Sequence, residues 1–181
     1  MSLQMERIES YCERLNLSRI PEVLDAVAQE ASSCEFSYTD FLEKILGEAA
    51  QAADERMRKT LMHFAKFPFT KTLESFDFAF QPSIDKKKVK ELAALRFLSG
   101  GDNVILLGPP GVGKSHLAVA LGLKTAEAGH RVYFTTAAEL VSRLLKAHTD
   151  GRLEERIRVF INCSLLIIDE IGYLPLDQHA S

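Results

Sequence analysis

The 181-residue sequence predicts an α/β fold, with strands and helices alternating to build a parallel sheet, preceded by a small all-helical domain. Three observations carry this. Residues 1–66 keep helical spacing of their apolar positions. The apolar stretch Asn103-Val104-Ile105-Leu106-Leu107 leads straight into the glycine-rich run Gly108-Pro109-Pro110-Gly111-Val112-Gly113-Lys114-Ser115. Ser164-Leu165-Leu166-Ile167-Ile168 is an uninterrupted apolar run of the kind found in a parallel strand buried on both faces, and it ends in Asp169-Glu170.

Taken in order, Leu3, Ile8, Tyr11 and Leu15 predict a first amphipathic helix. A second begins near Pro21, a good first-turn residue, and carries Val23, Leu24, Val27 and Ala28. A third, longer helix starts where Ser37 can cap, with Asp40 three residues on and Phe36 and Phe41 placed as a hydrophobic staple. It runs through Ile45, Ala49, Met57 and Leu61 to Phe64, and Pro68 ends it. These helices form a domain over residues 1–66. Residues 67–82 have many aromatics but no helical period, and read as a linker packed extended on the next domain, 83–181. In that linker Phe76 and Phe78 serve as hydrophobic anchors or border a bound base.

Within the second domain, Ser83 or Asp85 opens a helix through Val89, Leu92, Leu95 and Leu98, closed by Gly100-Gly101. A strand over Asn103–Leu107 then delivers the glycine-rich run, which opens the next helix through Leu117, Ala118, Ala120 and Leu121. Gly129-His130 ends that helix, and Arg131-Val132-Tyr133-Phe134-Thr135 is rich in β-formers. Two short helices, Ala137 to His148 and Leu153 to Phe160, bring the chain to the strand that ends in Asp169-Glu170.

The run Gly108 to Ser115 fits the phosphate-loop pattern G-x-x-x-x-G-K-[ST] at each fixed position. Its glycines let backbone N–H groups close around phosphate oxygens, and the helix beginning near Gly113 adds its positive end. Gly108, Pro109, Pro110, Gly111, Val112, Gly113, Lys114, Ser115 and the adjoining His116 are therefore the candidate ATP-binding residues. Lys114 brings a mobile charge to the β and γ phosphates, a catalytic as well as a binding role, and the Ser115 hydroxyl is placed to ligate Mg2+. His116 itself, in the first turn of a helix, reads as packed or capping rather than chemical.

An acid at the carboxyl end of a buried strand, downstream of a phosphate loop, is placed to hold the metal through its water shell; that acid is Asp169. Glu170 beside it is the candidate to polarise an attacking water and accept its proton. Two basic clusters could meet phosphate backbones, which needs charge rather than base-specific geometry. They are Arg56, Arg58, Lys59, Lys66 and Lys71, and Lys86, Lys87, Lys88 and Lys90. Solvated helix faces would carry the same charges.

Composition narrows the class. With 46% hydrophobic and 26% charged residues the chain is an ordinary globular one, and its formal net charge of -3 argues against a uniformly basic nucleic-acid binder. No membrane-length apolar stretch and no signal-like start are present, so a cytoplasmic protein without a membrane partner is expected. Cys12, Cys34 and Cys163 suit neither a disulfide framework nor a zinc site; they read as reduced thiols, with Cys163 in the core. His63, His130, His148 and His179 form no metal constellation.

The chain resembles the IstB-like ATP-binding proteins, helper ATPases of insertion sequences that also encode an IstA-type transposase. The resemblance covers almost the whole chain. It rests on Lys71-Thr72-Leu73-Glu74-Ser75-Phe76-Asp77-Phe78, on Gly108 through Ala118, on Gly129 through Ala137, and on Leu165-Leu166-Ile167-Ile168-Asp169-Glu170-Ile171-Gly172-Tyr173-Leu174-Pro175-Leu176. Less closely, it is similar to DnaC-type helicase loaders and the DnaA initiator. It implies an AAA+ module behind a helical domain, ATP-dependent self-association on double-stranded DNA, and stimulation of the partner transposase. Members of the family continue past the Asp-Glu strand, whereas this sequence stops at Ser181. The resemblance therefore implies an N-terminal portion lacking the fourth and fifth strands, the sensor asparagine, the arginine finger and the lid. Because the fourth strand lies between the loop strand and the Asp-Glu strand, a gap in mid-sheet, poor stability and little or no ATP turnover are expected. A helicase loader, a non-catalytic DNA-binding module and a small-molecule kinase are the competing readings.

Overall fold

The computed structural model describes residues 3–173, and the chain divides into two compact units, Met1–Met57 and Arg58–Ser181. The first unit is helical. It holds α1 (Leu3–Arg14), α2 (Arg19–Ser33) and the leading turns of α3 (Tyr38–Ala65). Cys12, Ile20, Val27, Ile45 and Ala49 are buried together, with Ile8, Leu17, Val23, Leu24 and Phe41 packed around them. Helix α2 begins two residues before Pro21, which still falls in the first turn, where its missing N–H has no intrahelical partner to lose. Ser37 and Asp40 close the start of α3 reciprocally: Asp40 N–H donates to Ser37 Oγ at 3.2 Å, while the Asp40 carboxylate accepts from Ser37 N–H at 3.0 Å.

The last turns of α3 belong to the second unit, and Lys66, at φ 55°, takes the left-handed conformation that stops the helix just before Phe67-Pro68. Asp85 caps α4 (Lys86–Leu92), its carboxylate accepting from the N–H groups of Lys87 and Lys88. The single helix expected through Leu98 is broken. Leu95 sits at φ 59°, ends α4 in a turn and starts α5 (Arg96–Gly100) in a new direction. No glycine or proline marks that break.

Helix α6 (Lys114–Glu127) is followed by β1 (Val132–Thr136), α7 (Ala137–Thr149), α8 (Leu153–Ile161) and β2 (Leu165–Asp169), then a single 3-10 turn over Ile171–Tyr173. The two strands are parallel, with Val132 opposite Leu165 and Thr136 opposite Asp169. Their connection through α7 and α8 is the crossover that a parallel pair requires. Helix α6 packs on both strands, and Val119, Leu123, Ala126, Val132, Phe134 and Ile167 form the core with Ala65 from the end of α3. Gly122 makes this possible: a Cβ there would lie 2.7 Å from both Ile167 Cδ1 and Phe67 Cε1.

The strand expected at Asn103–Leu107 does not form. Among the described residues it has no ladder partner, and Ile105 and Leu107 are 77% and 88% exposed. The physical reason is that a strand exists only through lateral hydrogen bonds, and among the described residues no strand supplies them to this segment. For the same reason β2 is half-buried, with only Ile167 fully enclosed, where its apolar run predicts cover on both faces. The thiols are free, with Cys12 buried, Cys34 exposed and Cys163 half-buried rather than in the core. Burial pushes the Cys163 thiol above its ordinary pKa.

Candidate nucleotide site

The glycine-rich run links the unpaired segment to α6. Gly113 is the residue immediately before the helix, at φ 93°, a left-handed geometry that a side chain would strain. It has a second constraint, since a Cβ there would stand 2.6 Å from Phe76 Cε2. The loop is thus pressed from one side by the ring of a residue 37 positions upstream. That ring is buried with Val89 and Leu117 in a small cluster that also takes in Leu73, Phe78, Ile84 and Leu106.

Lys114 heads α6, where the free N–H groups and positive end of the helix gather. Its ammonium folds back over the loop and donates to the carbonyls of Gly108 at 2.8 Å and Pro109 at 2.7 Å. The lysine is therefore already folded back onto the run, held by neutral acceptors weaker than a charged phosphate oxygen. Ser115, next along, is half-buried in the first turn. His116 turns away from chemistry as such and towards residues 72–76: its Nε2 lies 2.9 Å from the Thr72 carbonyl and its ring meets Phe76 edge-on at 5.0 Å. Between that segment and the loop is a groove of about 480 Å³, lined by Thr70, Lys71, Ser75 and Asp77 on one side and by Gly111 and Val112 on the other. Phe76 is buried as an anchor; Phe78 is half-buried against it at 4.9 Å.

Asp169 ends β2, on which α6 packs, and its carboxylate accepts from the Glu170 N–H at 2.9 Å. Glu170 is at φ 60°, a conformation costly for a side-chain-bearing residue, and its side chain is exposed. Among the described residues no hydrogen bond or ion pair joins Asp169 or Glu170 to the loop. The hydroxyl of Ser115 and the carboxylate of Asp169 are hard oxygen donors of the type magnesium selects, so the residues fit that ion.

The basic candidates scatter. Arg56 is engaged within the helical unit, donating to the Asn16 carbonyl and the Ser18 hydroxyl at 3.1 Å each. Arg58 and Lys59 are exposed on α3. Lys66 lies over the Tyr133 ring, Lys71 over Phe69 and Lys86 over Phe78, at 5.9, 5.3 and 5.3 Å. Lys86, Lys87 and Lys88 occupy the first turn of α4, where the helix end disfavours cations.

A model of the IstB-like ATP-binding proteins matches residues 10–181. The chain belongs to this family. An insertion-sequence IS5376 protein of Geobacillus stearothermophilus, given ATP binding by its name, is 42% identical over 176 residues, covering 97% of this chain and 70% of that relative. A counterpart named for IS21 in Pseudomonas aeruginosa is 42% identical over 96% of this chain and 66% of its own length. One named for IS232 in Bacillus thuringiensis is 34% identical over 98% and 71%. The IstB-like chain thus spans about 70% of the length of these relatives.

Membership establishes the α/β phosphate-loop class, here as a helix-rich chain with a small parallel sheet. It ties the chain to ATP binding and to insertion sequences. No helix among the described residues is long and apolar enough to cross a membrane. The family string Leu174-Pro175-Leu176, like His179, lies outside the described residues. The linker packs on this unit through Phe76, as its aromatics suggest, but over Thr72–Phe76 it is a compact turn rather than extended, and its hydrogen-bonded seam to His116 carries no sequence signal.

Proposed function

We propose that this IstB-like protein binds ATP with Mg2+ at Gly108–Ser115 and serves as the ATP-dependent helper of a transposase, associating with itself on double-stranded DNA. The observation that supports this best is the loop with its lysine: Gly113 in the left-handed geometry at the head of α6, and the Lys114 ammonium already suspended over the run it would bridge to phosphate. Gly108 to Ser115 would hold the phosphates and Ser115 and Asp169 the metal ion, which would supply charge neutralisation to the phosphates. Glu170, beside Asp169 at the end of β2, is the group that orients and deprotonates a water.

Arg58 and Lys59, with Lys86 to Lys88, are the phosphate-contacting residues we assign to DNA. Three lysines in a helix's first turn oppose its dipole, and an anionic partner would relieve that. The test is titration of the folded protein with ATP and Mg2+. Lys114→Ala should weaken binding by roughly 100-fold, about 2.7 kcal/mol, since a charge-assisted contact to two phosphates is lost. If the variant binds ATP as tightly as the parent, the loop is not the site; if DNA binding then persists with a steep salt dependence, a non-catalytic DNA-binding module is the better reading.

A further inference from the structure

The segment upstream of the loop is folded on itself before it meets the loop. Thr72 N–H donates to Ser75 Oγ at 3.1 Å, Ser75 Oγ–H donates to the Thr72 carbonyl at 2.9 Å, and Phe76 N–H donates to the Leu73 carbonyl at 3.2 Å. This compact turn presents one free lone pair on the Thr72 carbonyl and one buried ring, Phe76. Both are used by the loop and the start of α6. A carbonyl only accepts, so the His116 Nε2 that lies 2.9 Å from it carries the proton, with Ser75 Oγ a second, longer neighbour at 3.3 Å. The Phe76 ring meets the His116 ring edge-on and fills the space that a side chain at Gly113 would need.

We propose that His116 is a positioning residue, a clasp that fixes the register of the Thr72–Phe76 turn against Gly113–Ser115 and so sets the geometry of the phosphate-binding backbone. The inference rests on the reading of Gly108–Ser115 as the ATP site. Gly113 is constrained from both sides, by the α6 it heads and by Phe76. His116 and Leu117, one and two residues past Ser115, are tied to the same upstream turn, by hydrogen bond and by burial with Phe76 and Val89. A loop held this way loses less freedom when phosphate binds. By linkage, ATP must tighten the turn by as much as the turn favours ATP.

Two variants separate the hydrogen bond from the ring contact. His116→Phe keeps a ring against Phe76 but has no N–H; His116→Gln offers an amide N–H at similar reach without the ring. ATP affinity measured on folded protein should fall about five- to tenfold in His116→Phe and recover to within about twofold of the parent in His116→Gln. Equal affinity in His116→Phe and the parent overturns the proposal, as does a loss in His116→Gln as large as that in His116→Phe. The unsubstituted protein gives a test that depends on no variant: amide hydrogen exchange at Thr72, Ser75 and Phe76 should slow when ATP is added, and unchanged exchange at saturating ATP overturns the clasp. A parent protein that is folded yet binds no ATP instead overturns the nucleotide reading, a failure seen before any variant is compared.

Discussion

The helical unit and the nucleotide unit solve the same problem with different success. In the first, each helix satisfies its own backbone, and what remains is to seal apolar faces and join helix ends with side chains. Arg19 reaches Glu48 at 3.1 Å, Lys44 reaches Glu30 at 2.7 Å, Arg56 ties the turn between α1 and α2, and Ser37 with Asp40 closes the start of α3. In the second, the sheet needs lateral partners that only other strands supply. Two strands find each other, while Val104, Ile105 and Leu107 stand exposed beside the loop they lead into. The difference teaches which contacts hold the loop here: among the described residues they come from a helix and a turn rather than from a strand ladder. The helix is the one the loop opens, local to it, whereas the turn at Thr72–Phe76 lies far upstream, Thr72 being 44 positions before His116.

The hardest test of that contrast is to weaken the sheet and ask which unit responds. Phe134 is buried in β1 at the centre of the cluster with Val119, Leu123 and Ile167. Phe134→Ala should cost about 3–5 kcal/mol, the usual range for removing a buried aromatic from a core. Thermal unfolding followed by circular dichroism should then show the helix signal lost in two steps, with the earlier one carrying loss of ATP binding. A single step at an unchanged midpoint would mean that Phe134 carries little of the core.

How much of this was legible beforehand follows the same division. Local signals read well: Ser37 with Asp40, Asp85 as one of two candidate caps of α4, and β1 and β2, each displaced by one residue, are set by residues within a few positions of one another. Non-local ones did not. Whether Asn103–Leu107 pairs depends on a neighbour far along the chain, and its β-forming composition is silent on that. The break at Leu95 has no turn residue to announce it, and the contact between His116 and Thr72 spans 44 positions. The candidate acids were readable as the end of an apolar run, but not the left-handed backbone at Glu170 that turns the chain away from β2.

A smaller effect probes how tightly α6 is seated on the strands. At Gly122 an added methyl would meet Ile167 and Phe67 at 2.7 Å, a distance at which one of them must move. Overpacking of this kind costs about 1–3 kcal/mol, and alanine's better helix propensity returns up to about 1 kcal/mol. Gly122→Ala should therefore lower the midpoint of the nucleotide unit by a few degrees without touching the helical unit. A raised midpoint would mean that the Phe67 ring swings aside freely and that α6 is less closely packed than the helical unit's own seams.

The smallest effect lies on the other side of the comparison, at the start of α3. The Ser37 hydroxyl, at 2.7 Å, and then the Ser37 backbone N–H hold the Asp40 carboxyl below its ordinary pKa. A carboxylate with a depressed folded-state pKa contributes stability that is fully present above the ordinary aspartate value, near about 4. That contribution fades as pH falls through the lower folded value, because the proton then competes with Ser37 for the same oxygen. The group is fully exposed, so its effect belongs to the titration curve rather than to the melting point. In Ser37→Ala the hydroxyl donor is gone while the backbone N–H remains, and Asp40 followed by NMR should titrate closer to its ordinary value. An unmoved titration would assign the shift to the Ser37 backbone N–H, and the helical unit would then owe less to side-chain closure than its seams suggest.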